Sequence, residues 1–356
     1  MKEFKRLLTV IISLIFIITM TLNFSVKAVS NITEIESKRP LEVGVLVYSD
    51  NVFSFLVAEN LKDIVNEKGD KVKFTVFDGE ENPARESELL NKMLNDNYDL
   101  LLVDIAGQTV PDLIDTAVKK ARQKRIPIIF FDVTPVKLDV IRSYPKALII
   151  NNDSKQAGTL QGKMIADEWN ANKAIMDKNK DDILQYVMIK GNEESFATKE
   201  RTMYVLKEIK EAGIKTQELA SVNANWNQDL AEEIIGSLFI KYDGKIEAIV
   251  VNNHSMAIGA VKALQKYGYN MGDKKKNIPI FAINISPEIE EMIKKGSIAG
   301  TVPRNPRTYA EVIYAIGMNL VNSKNPLEGT NYKFDETGVV VKLPFEEYKT
   351  QTTQDK

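Results

Sequence analysis

Asp177, Asn179, Asp181 and Gln185 stand at the first, third, fifth and ninth positions of one short segment, with the carbonyl of Ile183 at the seventh. Oxygen donors at that spacing can wrap a loop around a hard cation such as Ca2+. A complete EF-hand loop would need glycine at the sixth position and glutamate at the twelfth, and this chain has Asp182 and Met188 there. By itself the segment either borrows a remote carboxylate or is a solvated Asn/Asp turn, and its spacing leaves both open.

Other chemistry is thin. The chain has no cysteine, so thiol catalysis, disulfides, Cys-ligated metals and a lipid-bearing cysteine are excluded. His254 is the single histidine, which rules out a multi-histidine metal site and favours a loop or packing role for it. No Gly-rich dinucleotide fingerprint, P-loop, nucleophile elbow or zincin helix is present. A carboxylate pair such as Asp50 and Asp104 keeps a glycoside-acting enzyme open as a lesser reading.

Positioning these residues falls to an alternation of short apolar runs with longer stretches of helical period. Leu41–Tyr48, Lys71–Phe77, Leu100–Val103, Pro127–Phe131 and Ala147–Ile150 read as strands with helices between them. A second series follows: helix 154–170, strand 184–189, helix 197–212, strand 217–222, helix 228–241, strand 247–251, helix 255–267 and strand 278–283. Two doubly wound α/β lobes with parallel sheets fit this order. Ligands of such sheets gather outside the carboxyl ends of the strands. Asp50, Asn51, Phe53, Asp104, Asn223, Trp226, Asn252, Asn253, Asn284, Arg304 and Asn305 all fall at those ends. In helix 197–212, Met203, Leu206 and Ile209 form an apolar stripe and leave Arg201 off it.

Length and composition agree with two lobes, since 356 residues exceed one ordinary core and 44% hydrophobic with 27% charged residues is globular. A formal charge of −2 without basic blocks argues against nucleic acid. Lys2, Lys5 and Arg6 precede an apolar run from Leu7 to Phe24, and Val26-Lys27-Ala28 suits a signal peptidase. Residues 1–28 are therefore expected to be an export signal that sends the protein to the periplasm or outer cell surface, a retained anchor being the alternative.

From Leu41 to Leu343 the chain resembles the periplasmic D-galactose/D-glucose-binding proteins, type I binding proteins of ABC sugar importers. The resemblance is carried in order by Asn151–Gly158, the Asp177–Gln185 loop, Lys190-Gly191, Arg201–Tyr204, Val251-Asn252-Asn253, Gly259–Val261 and Ala299–Val302. It implies two lobes joined by a multi-strand hinge, no enzymatic activity, a monosaccharide ligand, importer membrane subunits or a chemoreceptor as partners, and a monomer. It also implies a structural calcium ion held by Asp177, Asn179, Asp181, the Ile183 carbonyl, Gln185 and a distant Glu247. For the sugar it implies Phe53 and Trp226 as stacking rings, with Asn51, Asp104, Arg201, Asn253 and Asn284 as polar partners.

Several positions depart from the family pattern. Asn51 stands where the family has Asp, Asp104 where it has Asn, Ser195 and Ala197 where it has His and Asp, Asn284 where it has Asp, and Arg304 where it has Asn. A ligand other than galactose or glucose, or a sensory role, thereby stays open. The expected division is 41–149 with 305–340 as the first lobe, 150–304 with 341–346 as the second, and 347–356 as a polar tail.

Overall fold

The computed structural model describes residues 39–48, 52–80, 82–105, 110–133, 138–242 and 244–350. The expected signal at 1–28, the loop residues Asp50 and Asn51, and the end of the expected tail lie outside the described residues.

The first lobe runs β1 (Leu41–Val47), α1 (Val52–Lys68), β2 (Val72–Asp78), α2 (Pro83–Asn95), β3 (Leu100–Val103), α3 (Val110–Lys124), β4 (Ile128–Phe131), α4 (Leu138–Arg142) and β5 (Ala147–Asn152). The second runs α5 (Ser154–Met176), β6 (Ile183–Lys190), α6 (Phe196–Glu211), β7 (Lys215–Asn223), α7 (Gln228–Tyr242), β8 (Ala248–Val251), α8 (His254–Gln265), β9 (Ile280–Ile283), α9 (Pro287–Lys294) and β10 (Gly300–Val302). Then come α10 (Pro306–Val321), β11 (Val340–Leu343) and β12 (Lys349–Thr350).

Two sheets result, ordered β11-β5-β4-β3-β1-β2 and β12-β10-β9-β8-β6-β7. Pairing is parallel throughout except at β12, which runs antiparallel to β10. Successive side chains of a strand point to opposite faces, and helices cover both. Val43, Val45 and Val47 pack under α1 and α10, whereas Leu46 packs with Leu90, Met93 and Val118 of α2 and α3. In the second sheet Val187 and Ile189 face α7 and α8, and Tyr186 and Met188 face α5 and α6. Burial on both faces explains why these strands read as nearly continuous apolar runs.

The chain crosses between the sheets after β5, after β10 and after β11. The crossings are tied to one another: Asp153 N donates to Leu343 O at 2.8 Å, Glu346 N to Pro303 O at 2.9 Å, and Phe345 N to Gln156 Oε1 at 2.7 Å.

Three expectations are corrected. Residues 341–343 belong to the first lobe and not the second, because β11 pairs in register with Ile149–Asn152 of β5, which itself continues past 149. Residues 348–350 are not a free tail: Lys349 and Thr350 form the edge strand β12, and Tyr348 packs on the core beneath the second sheet and donates its hydroxyl to Asp167. Met203 is not on the buried side of α6, being 60% exposed; that side carries Thr198, Arg201, Val205 and Ile209. Apolar spacing alone misplaced the stripe because Met203 is an exposed apolar residue, which surfaces commonly carry.

Candidate functional site

Helix α6 brings Arg201 inward because it packs tightly on α5. A Cβ on Gly158 would lie 2.6 Å from the Arg201 carbonyl oxygen, so the absence of a side chain lets the two helices approach. Arg201 is only 7% exposed, donates from Nη1 to Asn252 O at 2.7 Å, and has a buried Nε without a partner. Its guanidinium lies 5.7 Å from the Trp226 ring centre and 5.8 Å from that of Phe345. Burial foremost, with Arg304 second, lowers its pKa to about 10.

Trp226 is set by a turn in which both Asn225 and Trp226 have positive φ, 53° and 69°. The left-handed region is unfavourable for side chains of this kind and marks a backbone held by its surroundings. The indole lies over Gly191, where a Cβ would meet ring carbons at 2.3 Å. Asn253 secures the same turn: its Nδ2 donates to Trp226 O at 3.3 Å while its Oδ1 caps α8 by accepting from Met256 N at 2.9 Å. Its amide thus serves α8 and the tryptophan turn.

On the first lobe, Phe53 at the start of α1 meets Tyr309 edge-on at 5.2 Å between ring centres. Arg304, which follows β10, crosses to this lobe. Its guanidinium lies 3.6 Å from the Phe53 ring centre, and its Nη1 is 2.6 Å from Asp132 Oδ1. Arg304 is 7% exposed and its Nε is buried without a partner. Asp104 is buried beside Asp132; burial first, and the Asp132 charge second, push its pKa well up, against hydrogen bonds from Ser54 and the Tyr48 amide. Asn284, buried with φ 72°, leaves its Oδ1 unpartnered, as does Asn223.

Phe53, Asp104, Trp226, Asn253 and Asn284 therefore lie at carboxyl strand ends or in the turns and helix starts just beyond them, and Arg201 comes from within α6. Asn51 is outside the described residues. Asp132 was missed, although it directly follows the apolar strand ending at Phe131 and the strand-end rule reaches it. His254 was read as a loop or packing residue; it lies close enough to Arg304 and Arg201 that burial, then their charges, lower its pKa to about 4, and its Nδ1 is buried without a partner.

The acidic loop lies away from these residues, between α5 and β6. Lys180 and Asp182 take positive φ, 61° and 63°, so Asp182 occupies the turn where a calcium loop prefers glycine. Asp177 accepts from the amides of Asp181 and Asp182 at 3.1 Å each, and Asn179 Oδ1 accepts from Asp181 N at 3.1 Å. Glu247 closes over the loop, accepting from Lys178 N at 2.6 Å and Gln185 N at 3.0 Å. Burial foremost, with Asp177 and Asp181 close by, raises its pKa against the pull of those two amides. Gln185 Oε1 is buried without a partner, and every donor in the set is oxygen, which suits a hard cation. Among the described residues no group of three or more acidic or histidine side chains is gathered into a metal cage.

Two parallel-sheet lobes, with polar and aromatic side chains converging where their strands end, define a two-lobed solute-binding protein. The sequence model of the periplasmic binding protein domain family matches residues 43–325, and the chain belongs to that family. It is 28% identical over 326 residues, 91% of this chain and 94% of the relative, to the D-galactose/methyl-galactoside binding periplasmic protein of Haemophilus influenzae. It is 25% identical over 69% of its length, and 74% of the relative, to the ribose import binding protein of Salmonella typhimurium. Similar solved structures include an ABC transporter solute-binding protein from Actinobacillus succinogenes with bound D-allose, at TM-score 0.68, 18% identity and coverage of 88% and 99% of the two chains. A glucose-galactose binding protein from Geobacillus stearothermophilus gives TM-score 0.67 and 16% identity, over 88% of this chain and 99% of that one. The protein is a binding protein and not an enzyme, from a family that works outside the cytoplasm. Among the described residues no helix is long and apolar enough to cross a membrane.

Proposed function

We propose that the protein captures a pyranose of the galactose/glucose class outside the cytoplasm and hands it to the membrane subunits of an ABC importer. The observation that carries this reading is a set of buried polar atoms left unpartnered at the strand ends and on the neighbouring helix α6: Arg304 Nε, His254 Nδ1, Asn284 Oδ1, Asn223 Oδ1 and, from α6, Arg201 Nε. Buried polar groups in folded proteins are nearly always hydrogen-bonded, so a concentration of exceptions beside Trp226 and Phe53 supports a hydroxyl-rich partner. An indole face covers the apolar C–H face of a pyranose while guanidinium and amide groups pair its hydroxyls. Three crossings between the lobes support closure about a hinge.

We also assign a structural Ca2+ to the second lobe, with Asp177, Asn179, Asp181, the Ile183 carbonyl, Gln185 and Glu247 as its holders. The partnerless Gln185 Oε1 and the nearness of Asp177 and Asp181 to the Glu247 carboxylate support it. The ion would neutralise these carboxylates and brace the start of β6.

Tryptophan fluorescence titration with a panel of monosaccharides tests the sugar reading, with Trp226→Phe separating its signal from that of the buried Trp169. A saturable response to a pyranose, absent in the variant, is expected. Silence towards every sugar on the panel would overturn the assignment.

A further inference from the structure

Two buried arginines stand near enough in the cleft for the charge of Arg304 to act on Arg201, and they are unequally provided for. Arg304 has a carboxylate partner, Asp132, at 2.6 Å. Arg201 has one hydrogen-bond acceptor, the Asn252 carbonyl, and no salt-bridge partner among the described residues. Both side chains are 7% exposed, and both leave Nε buried and unpartnered. A buried cation without a counter-charge is costly to keep, and a guanidinium with unused N–H groups is shaped to receive a carboxylate through paired hydrogen bonds.

The neighbouring groups do not cancel this surplus. Asp104 is held towards its neutral form by burial and by Asp132, and His254 is held neutral by burial and the two arginines. Glu200, next to Arg201 on α6, also acts on it, but Glu200 faces Lys342 and Lys155 as well. Among the described residues Asp132 is the one carboxylate in salt-bridge contact with these two guanidinium groups, and it belongs to Arg304, which leaves Arg201 without one.

We propose that the cleft selects a pyranose bearing a carboxylate, a hexuronate, whose acid group is received by Arg201 together with Arg304. This rests on the sugar reading above and narrows it from the galactose/glucose class to the C6 acids of that class. One guanidinium without a carboxylate partner matches one carboxylate, whereas a phosphate monoester brings nearly two negative charges to it. Arg304 is then the residue that sets specificity, since its guanidinium lies on Phe53 and reaches Asp132 in the other lobe.

Isothermal titration calorimetry of the protein with galacturonate, glucuronate, galactose, glucose and galactose 6-phosphate tests it. One uronate is expected to bind at least tenfold more tightly than its parent hexose, about 1.4 kcal/mol or more. Arg304→Gln is expected to bring that ratio close to one, and Arg304→Lys to restore only part of it. A neutral hexose that binds as tightly as its uronate overturns the acid selectivity and leaves the sugar reading standing. Tightest binding by the 6-phosphate overturns the choice of carboxylate. No binding by any of the five overturns the selectivity and the sugar reading together.

Discussion

Arg304 and Asp132 join the two lobes: the arginine follows the last parallel strand of the second sheet, the aspartate directly follows a central strand of the first, and Nη1 lies 2.6 Å from Oδ1. The same guanidinium lies on Phe53 at 3.6 Å. One side chain thus touches an ion-pair partner and an aromatic ring of the opposite lobe.

Removing Asp132 would leave Arg304 buried without its carboxylate. Because breaking a buried pair costs more than the pair contributes, Asp132→Asn is expected to destabilise the protein by roughly 3 kcal/mol, read from the urea midpoint at unchanged slope. A loss below about 0.5 kcal/mol would mean the pair behaves as a surface one.

The Trp226 turn depends on a missing side chain. Gly191→Ala puts a Cβ where ring carbons stand at 2.3 Å, and a crowded rigid indole has to move. Sugar affinity should fall at least tenfold and the tryptophan emission should shift, while far-ultraviolet circular dichroism stays native. Unchanged affinity would show that the indole face is not part of the sugar site.

His254 makes stability depend on acid. Its pKa is lowered to about 4 from an ordinary 6.5, chiefly by burial and then by Arg304 and Arg201. For a base with a lowered folded pKa, the unfolded chain takes up protons first. The contribution is complete above about pH 6.5 and is lost as pH falls towards 4, amounting to roughly 3 kcal/mol. His254→Asn should flatten the decline in melting temperature between those two pH values; an unaltered slope would assign it to other groups.

Calcium is expected to raise the melting temperature and chelation to lower it. At a concentration one hundredfold above the dissociation constant the gain is about 2.7 kcal/mol. Gln185→Ala and Asp181→Ala should each reduce that gain. Identical melting curves with calcium and with chelator would leave the segment a solvated Asn/Asp turn.

Most strands and the helices between them were readable because each buries both faces or one stripe, which imprints a period on the sequence. Asp182 was readable too: it stands where a calcium loop wants glycine, and its φ is positive. The membership of β11 was not, since a four-residue apolar strand carries no mark of which sheet receives it. Arg201 was read as a cleft residue lying off the apolar stripe, but its burial was not readable, because the close approach of α5 at Gly158 turns a charged residue inward on a helix whose Met203 faces water. The Arg304–Asp132 pair joins residues 172 positions apart, and no local pattern announces it.

The late pairing of β11 with β5 bears on how the molecule is completed. Asn152 and Leu343 meet across 191 positions, so the first sheet keeps an unfilled edge until nearly the whole chain has been synthesised. Closing so long a loop is slow and favours assembly after the second lobe has formed. A chain ending before Val340 would lose the outer strand of each sheet at once, β11 from one and β12 from the other. Residues 340–350 act as a clasp for both lobes, and termination before them should yield an aggregation-prone product with two open sheet edges.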